Sequence, residues 1–95
     1  MKYDTGKARL GILLRGFAGT LCGIGEVLSF GANKYAEGSW VHVPDAQRRY
    51  EDAFLRHLLA IKNGEWLDQE SGLPHIDHAL TNLMFLRHFY MEDKQ

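Results

Sequence analysis

The densest run of chemically useful side chains is Gly64-Glu65-Trp66-Leu67-Asp68-Gln69-Glu70-Ser71-Gly72, with three carboxylates in six residues between two glycines. Oxygen-rich clusters of this kind suit Mg²⁺ or Mn²⁺, which favour carboxylates and water. An acidic loop ahead of a helix also complements the positive end of the helix dipole, so spacing alone leaves a solvated loop open. His75, His78 and Asn82 follow at intervals of three and four, along one edge of a helix and a turn apart. Imidazoles so placed can share a metal or address one anionic ligand, and they can equally cap and bridge a helix start. His57 falls on the apolar stripe of the preceding helix, where a lone histidine can simply be a satisfied core residue. Two antiparallel helices joined by the acidic segment would carry His57, the carboxylates and the His75/His78 edge to one end of a hairpin.

Phosphate binding has its own candidates. Arg56 adjoins His57 in sequence but points about 100° away round the helix. With Arg49, Arg48, Lys34 and Lys7 it could hold phosphates, although a single charge on a helix usually marks a solvated face. Tyr35 and Trp40 offer flat surfaces for a base, and Trp40 could equally plug a thin core. Glu26 stands alone as an acid inside a glycine-rich apolar helix, and a carboxylate buried there needs a partner.

These residues need elements to position them. Phe17, Leu21, Ile24, Val27, Leu28 and Gly31 recur at intervals that predict a helix over about 16–36. Gly19, Gly23 and Gly25 each weaken it by about 1 kcal/mol relative to Ala, and let another backbone come close. Residues 37–44 break the pattern and form a loop. Pro44 suits the first turn of the next helix, which runs to about Lys62 with Tyr50, Phe54, His57, Leu58 and Ile61 on one stripe. Asn63-Gly64 is a stop signal. Ser71-Gly72-Leu73-Pro74 opens the last helix, which runs to about Met91 with Ile76, Leu80, Leu83, Met84 and Phe85 inward. A short helix at 8–15 follows a polar arm. Val41-His42-Val43 alternates but is too short for a strand. The expected fold class is all-α, a small bundle of three main helices plus that short N-terminal one, in a single domain over 1–95.

The bulk numbers bound the function. With 45% hydrophobic and 24% charged residues the chain is an ordinary globular sequence of 95 residues. A chain this short buries only about 60–65% of its unfolded surface, so its core is thin. The net charge of -1 and pI near 6.5 give no basic face for duplex nucleic acid. The single cysteine, Cys22, excludes an intramolecular disulfide. The apolar runs fall short of the roughly 20 residues of a membrane span, and Asp4 interrupts any leader-like start. The expectation is a soluble, cytoplasmic protein with no membrane or duplex nucleic-acid partner. The second half of the last helix carries Leu83, Met84, Phe85, Leu86, Phe89, Tyr90 and Met91 nearly all round. Such a helix is covered on two sides, which predicts a homodimer or homotetramer unless residues 8–17 fold back over it.

A wider pattern runs through the chain. It begins with Lys2-Tyr3-Asp4-Thr5-Gly6-Lys7 and Arg9-Leu10, then Glu26-Val27-Leu28, Phe30-Gly31-Ala32, Lys34-Tyr35, Trp40 and Arg49-Tyr50. Ala53, Arg56-His57, Gly64-Glu65, Asp68, Glu70-Ser71-Gly72-Leu73-Pro74-His75, His78 and Asn82 complete it. This resembles the bacteriophage dATP/dGTP diphosphohydrolase family, a MazG-like group of small helical enzymes. The resemblance implies an oligomeric all-α enzyme using Mg²⁺ or Mn²⁺, in the host cytoplasm if phage-encoded. It would cleave a purine deoxynucleoside triphosphate to the monophosphate and pyrophosphate. In that scheme Glu65, Asp68, Glu70 and then Glu26 hold the metal, and Glu65, Asp68 and His57 serve catalysis. Lys34, Tyr35, Trp40, Arg49, Arg56, His75, His78 and Asn82 contact the nucleotide. The E-E-x-x-E helix of the wider MazG superfamily has no counterpart here, although Glu65 and Asp68 keep its E-x-x-D spacing. Two other functions compete: a triphosphohydrolase releasing nucleoside and triphosphate, with His57 and Asp68 as ligands, and a helical interaction protein without catalysis.

Overall fold

The computed structural model describes residues 3 and 5–94, so Lys2 and Asp4 of the opening pattern lie outside the described residues. Four α-helices follow one another: α1 (Leu10–Gly16), α2 (Ala18–Lys34), α3 (Ala46–Lys62) and α4 (His75–Asp93). A 3-10 turn at Ser39–His42 occupies the stretch where alternation had suggested little. The fold is all-α, with an isolated bridge between Leu67 and Pro74 as its one piece of strand-like pairing among the described residues. The short first helix falls close to its expected place, and a bend of 85° separates it from α2. No single helix is long and apolar enough to cross a membrane.

Local chemistry explains the boundaries. α3 ends at Lys62 because Gly64 takes φ +86, which a side chain would resist. Gly64 N–H then bonds to Ile61 O at 3.0 Å and Glu65 N–H to Ala60 O at 2.9 Å, a Schellman closure. Pro44 does not sit in the first turn of α3, which starts at Ala46. Asp45 stands at the N-terminal boundary with φ 55, a left-handed conformation Asp tolerates, and its carboxylate accepts from Arg48 rather than from the helix backbone. Pro44 therefore belongs to the turn, following an extended Val43, and Asp45 makes the reversal into the helix.

α3 and α4 form an antiparallel hairpin and α2 packs on α4. The α3 stripe faces inward as expected: Tyr50, Phe54, His57, Leu58 and Ile61 are all half-buried. α4 is turned differently from expectation. Its buried line is His75, Ala79, Asn82 and Leu86, spaced four, three and four, with Thr81 beside it. Ile76, Leu83 and Met84, expected inward, are exposed. The edge that carries His75 packs inward together with Ala79 and Leu86, and Ile76, Leu83 and Met84 are left on the outside. α1 buries none of its residues, so Leu10, Leu13 and Leu14 do not fold back over α4's apolar face.

Gly23 marks the close crossing of α2 on α4. A Cβ there would stand 2.6 Å from the Asp77 carboxyl carbon and from both its oxygens. Gly25, one turn-fraction further on, has nothing within 4 Å. The atoms met are the far end of the Asp77 side chain, which can swing aside, so Gly23→Ala is expected to gain less stability than Gly25→Ala, the displacement offsetting part of the roughly 0.5–1 kcal/mol of helix propensity. Gly25→Ala should raise it by roughly 0.5–1 kcal/mol. Thermal melts of the two variants check this, and a larger rise for Gly23→Ala than for Gly25→Ala would contradict the assigned crossing.

Candidate functional site

The hairpin end is built by a tightly folded connection between α3 and α4. Asp68 N–H bonds to Leu73 O at 2.8 Å, His75 N–H to Trp66 O at 2.9 Å, and Gly72 N–H to Asp68 O at 2.8 Å. Gly72 takes φ +73, as the reversal requires. The loop thereby doubles back and lays Glu65 and Asp68 against the first turn of α4. His57 arrives from α3, about one and a half turns before that helix ends at Lys62.

Inside this fold the polar atoms converge. His57 Nδ1 lies 2.8 Å from His75 Nδ1, and His75 Nε2 lies 2.7 Å from Glu65 Oε2. His57 and His78 stack with ring centroids 4.6 Å apart and planes 8° from parallel. Ser71 N–H and Oγ–H both donate to Asp68 Oδ2, at 2.9 and 3.0 Å. The hydroxyl has one proton, so with it on Asp68 the 2.7 Å contact from Ser71 Oγ to His78 Nε2 places a proton on that nitrogen. Likewise His75 donates from Nε2 to the Glu65 carboxylate, and its Nδ1 presents a lone pair towards His57. One ligand atom from each of His57, Asp68 and His75 lies within 4.8 Å of the other two.

Electrostatics fit this arrangement. Burial, helped by His78 and His75 and opposed by Asp68, lowers His57 from 6.5 to about 4, so the ring is neutral near pH 7. Burial also lowers His78, against the pull of Asp68. For Asp68 burial acts upward, but the Ser71 donors and the nearby histidines outweigh it and hold the carboxyl below its ordinary value. The folded chain thus refuses a proton at His57 that the unfolded chain accepts. Stability drawn from the neutral ring is complete above about pH 6.5 and is lost as pH falls towards 4. In chelator, the melting temperature should fall across that window and fall less for His57→Gln. An unchanged profile would contradict the burial argument.

The structure thus brings together His57, Glu65, Asp68, His75 and His78 of the residues singled out from sequence. Ser71 joins them unforeseen, although Asp68-x-x-Ser71-Gly72 is a turn pattern in which the serine donates back to the aspartate. Glu70 points elsewhere, to Lys34, and Lys34 lies 5.1 Å from the Tyr35 ring centre. Glu26 is exposed rather than buried, because its helix packs only on one side. It lines an open hollow of about 530 Å³ with Ser29, Asn33, Ser71 and Leu73. Trp40 stacks on Phe85 at 4.7 Å and meets His88 and Phe89 edge-on, so it takes the core-plugging role. Its carbonyl accepts from Tyr50 Oη at 2.7 Å. Tyr35 is 70% exposed. Arg49 and Arg56 lie exposed on α3 without an ion-pair partner among the described residues, and Asn82 is buried a turn beyond His78.

Residues 1–95 match the family described as dATP/dGTP diphosphohydrolase, N-terminal. A dATP/dGTP diphosphohydrolase of Salmonella phage PMBT28 is 34% identical over 86 residues, covering 90% of this chain and 28% of that protein. The chain therefore spans little more than a quarter of that relative's length. No solved structure matches it. On a match that runs the whole length of the chain, with the hairpin-end cluster inside it, this protein belongs to the dATP/dGTP diphosphohydrolase N-terminal family.

Proposed function

We propose that this chain is a helical hydrolase domain acting on dATP or dGTP, giving the deoxynucleoside monophosphate and pyrophosphate with a divalent metal, Mg²⁺ or Mn²⁺. The observation that carries this is the convergence of His57, Asp68 and His75 at the hairpin end. The donor set fits a divalent ion: burial keeps the His57 ring neutral and Asp68 remains ionised, both metal-binding states, and the Glu65 contact at Nε2 leaves Nδ1 of His75 facing the group. Such an ion would offset charge on the triphosphate oxygens and sharpen a water for attack.

The remaining residues divide the work. Ser71 fixes the Asp68 carboxylate through Oδ2, so Asp68 meets its ligand in one orientation. Glu65 holds the His75 ring by its Nε2–H. In the reaction a water oxygen joins the α-phosphorus, the bond to the bridging oxygen breaks in line, and pyrophosphate leaves. Arg49 and Arg56, exposed and without an ion-pair partner among the described residues, are available to the β- and γ-phosphates; Lys34 would first have to leave Glu70. Tyr35 is the exposed aromatic that a purine could stack on, whereas Trp40 is occupied in packing. Purine selectivity itself rests on the name of the phage relative.

The test is to incubate the protein with each deoxynucleoside triphosphate and Mg²⁺ or Mn²⁺ and identify the products. Monophosphate with pyrophosphate, formed faster from dGTP or dATP than from dCTP, is the expected result. Nucleoside with triphosphate would favour the triphosphohydrolase, for which the His57–Asp68 proximity also speaks. Comparable rates on dCTP and dGTP would remove purine selectivity, and no metal-dependent turnover would leave an interaction domain.

A further inference from the structure

The hairpin-end cluster is chemically unlike the all-carboxylate site that the acidic loop suggests. Of the four acids expected to hold a metal, one, Asp68, belongs to the convergent group. Glu70 is engaged by Lys34, Glu26 is exposed on another helix, and Glu65 is engaged by His75. The other two convergent ligands are imidazole nitrogens, and His75 is only 5% exposed.

We infer that His57, Asp68 and His75 form a metal centre selective for a transition ion, such as Mn²⁺, Co²⁺ or Zn²⁺, over Mg²⁺, with Glu65 as a positioning residue rather than a ligand. This rests on the proposed function only in placing a metal at this cluster. Mg²⁺ is a hard ion that prefers oxygen ligands and keeps its waters, whereas imidazole suits the later ions. Two nitrogen ligands sharing one ion at about 2.0–2.1 Å must lie about 2.9–3.4 Å apart. The two Nδ1 atoms stand 2.8 Å apart with the shared proton on His57, so a small parting of the rings, with that proton moved to His57 Nε2, would admit an ion. The Glu65–His75 contact has the form of an outer carboxylate gripping the far nitrogen of a ligating histidine. That grip leaves Nδ1 as the unprotonated atom and points its lone pair at the centre. Asp68 Oδ2 is taken by Ser71, and the second oxygen takes no part in that turn. Two side chains thus present preset ligand atoms, and His57 completes the set from α3.

The experiment is equilibrium dialysis and calorimetry of the protein, without nucleotide, against Mg²⁺, Mn²⁺, Co²⁺ and Zn²⁺ separately. Wild type should hold one equivalent of Mn²⁺ on the order of 10²-fold more tightly than Mg²⁺, with Co²⁺ and Zn²⁺ tighter still. His57→Gln, checked for helicity, should lose stoichiometric Mn²⁺ binding. Glu65→Gln should keep the stoichiometry with affinity about 10–100-fold weaker. Mg²⁺ and Mn²⁺ affinities within a few-fold of each other in wild type would overturn the inference, whatever the variants do. So would wild-type affinity in His57→Gln, or loss of stoichiometry in Glu65→Gln. Hydrolysis measured in parallel separates the two ideas. Turnover with no preference among ions leaves the hydrolase standing and removes the transition-ion centre. Tight Mn²⁺ binding without turnover does the reverse.

Discussion

Asp68→Asn is expected to lower turnover of dGTP by about 10²-fold or more, with helicity unchanged, by analogy with losing one major electrostatic element of an active site. The substitution is close to isosteric, and an amide oxygen can still accept from Ser71, so the loop fold of 65–74 should survive. What it removes is the negative charge, which sits beside His78 at 3.8 Å and within the group formed with His57 and His75. Glu65→Gln should also lose activity, by about 10–100-fold, because the neutral amide grips the His75 ring less firmly. Glu70→Gln is the internal control. Its partner is Lys34 on the surface, and exposed pairs of this kind are worth at most about 1 kcal/mol. A change of a few-fold is expected there. Full activity of Asp68→Asn, or of the wild type in excess chelator, would sink the assignment of the site.

Self-association is the second large effect. The wild-type chain should sediment at micromolar concentration as a dimer or larger multiple of 10.9 kDa, and Leu83→Glu should shift it towards monomer. The chain has 7286 Å² of accessible surface. A compact monomer of this mass has about 5600 Å². The radius of gyration is 15.4 Å. A compact fold of this length has about 12.4 Å. The excess, about 1700 Å², is roughly twice what one partner contributes to a standard interface. Its composition points the same way, since Leu55, Leu59, Leu83, Met84 and Tyr90 are all exposed on the outer side of the α3–α4 hairpin. Phe54, Leu55, Leu83, Leu86 and Tyr90 line an open groove of about 470 Å³ there, with Glu51 and Arg87 at its rim. A second hairpin laid into that groove would give a four-helix arrangement with two-fold symmetry. A charge at Leu83 would be buried in such an interface and should disperse it, with loss of activity if groups from two chains meet one nucleotide. A stable, active wild-type monomer of about 11 kDa would end this idea.

Much of the fold was legible because it rests on local rules. Intervals of three and four place α2, α3 and α4, and each predicted stretch overlaps the observed helix. Asn63-Gly64 stops α3 because the left-handed turn there is a property of two or three residues. The hairpin that gathers His57, Asp68 and His75 was also readable, since two helices joined by a short connection have few ways to lie. The rotation of α4 was not. A helix with apolar residues nearly all round gives no unique inner face, and the choice fell to the mixed line His75, Ala79, Asn82 and Leu86, whose burial depends on what α2 and α3 offer opposite. The fates of the charged residues were equally hidden. Glu70 and Lys34 are 36 positions apart and meet only because α2 passes beside the loop. Trp40 had two uses of comparable merit until Phe85 took up its face. Sequence fixes what each side chain can do and which turn of helix it occupies; which partner claims it depends on distances between elements, and those exist only once the helices have packed.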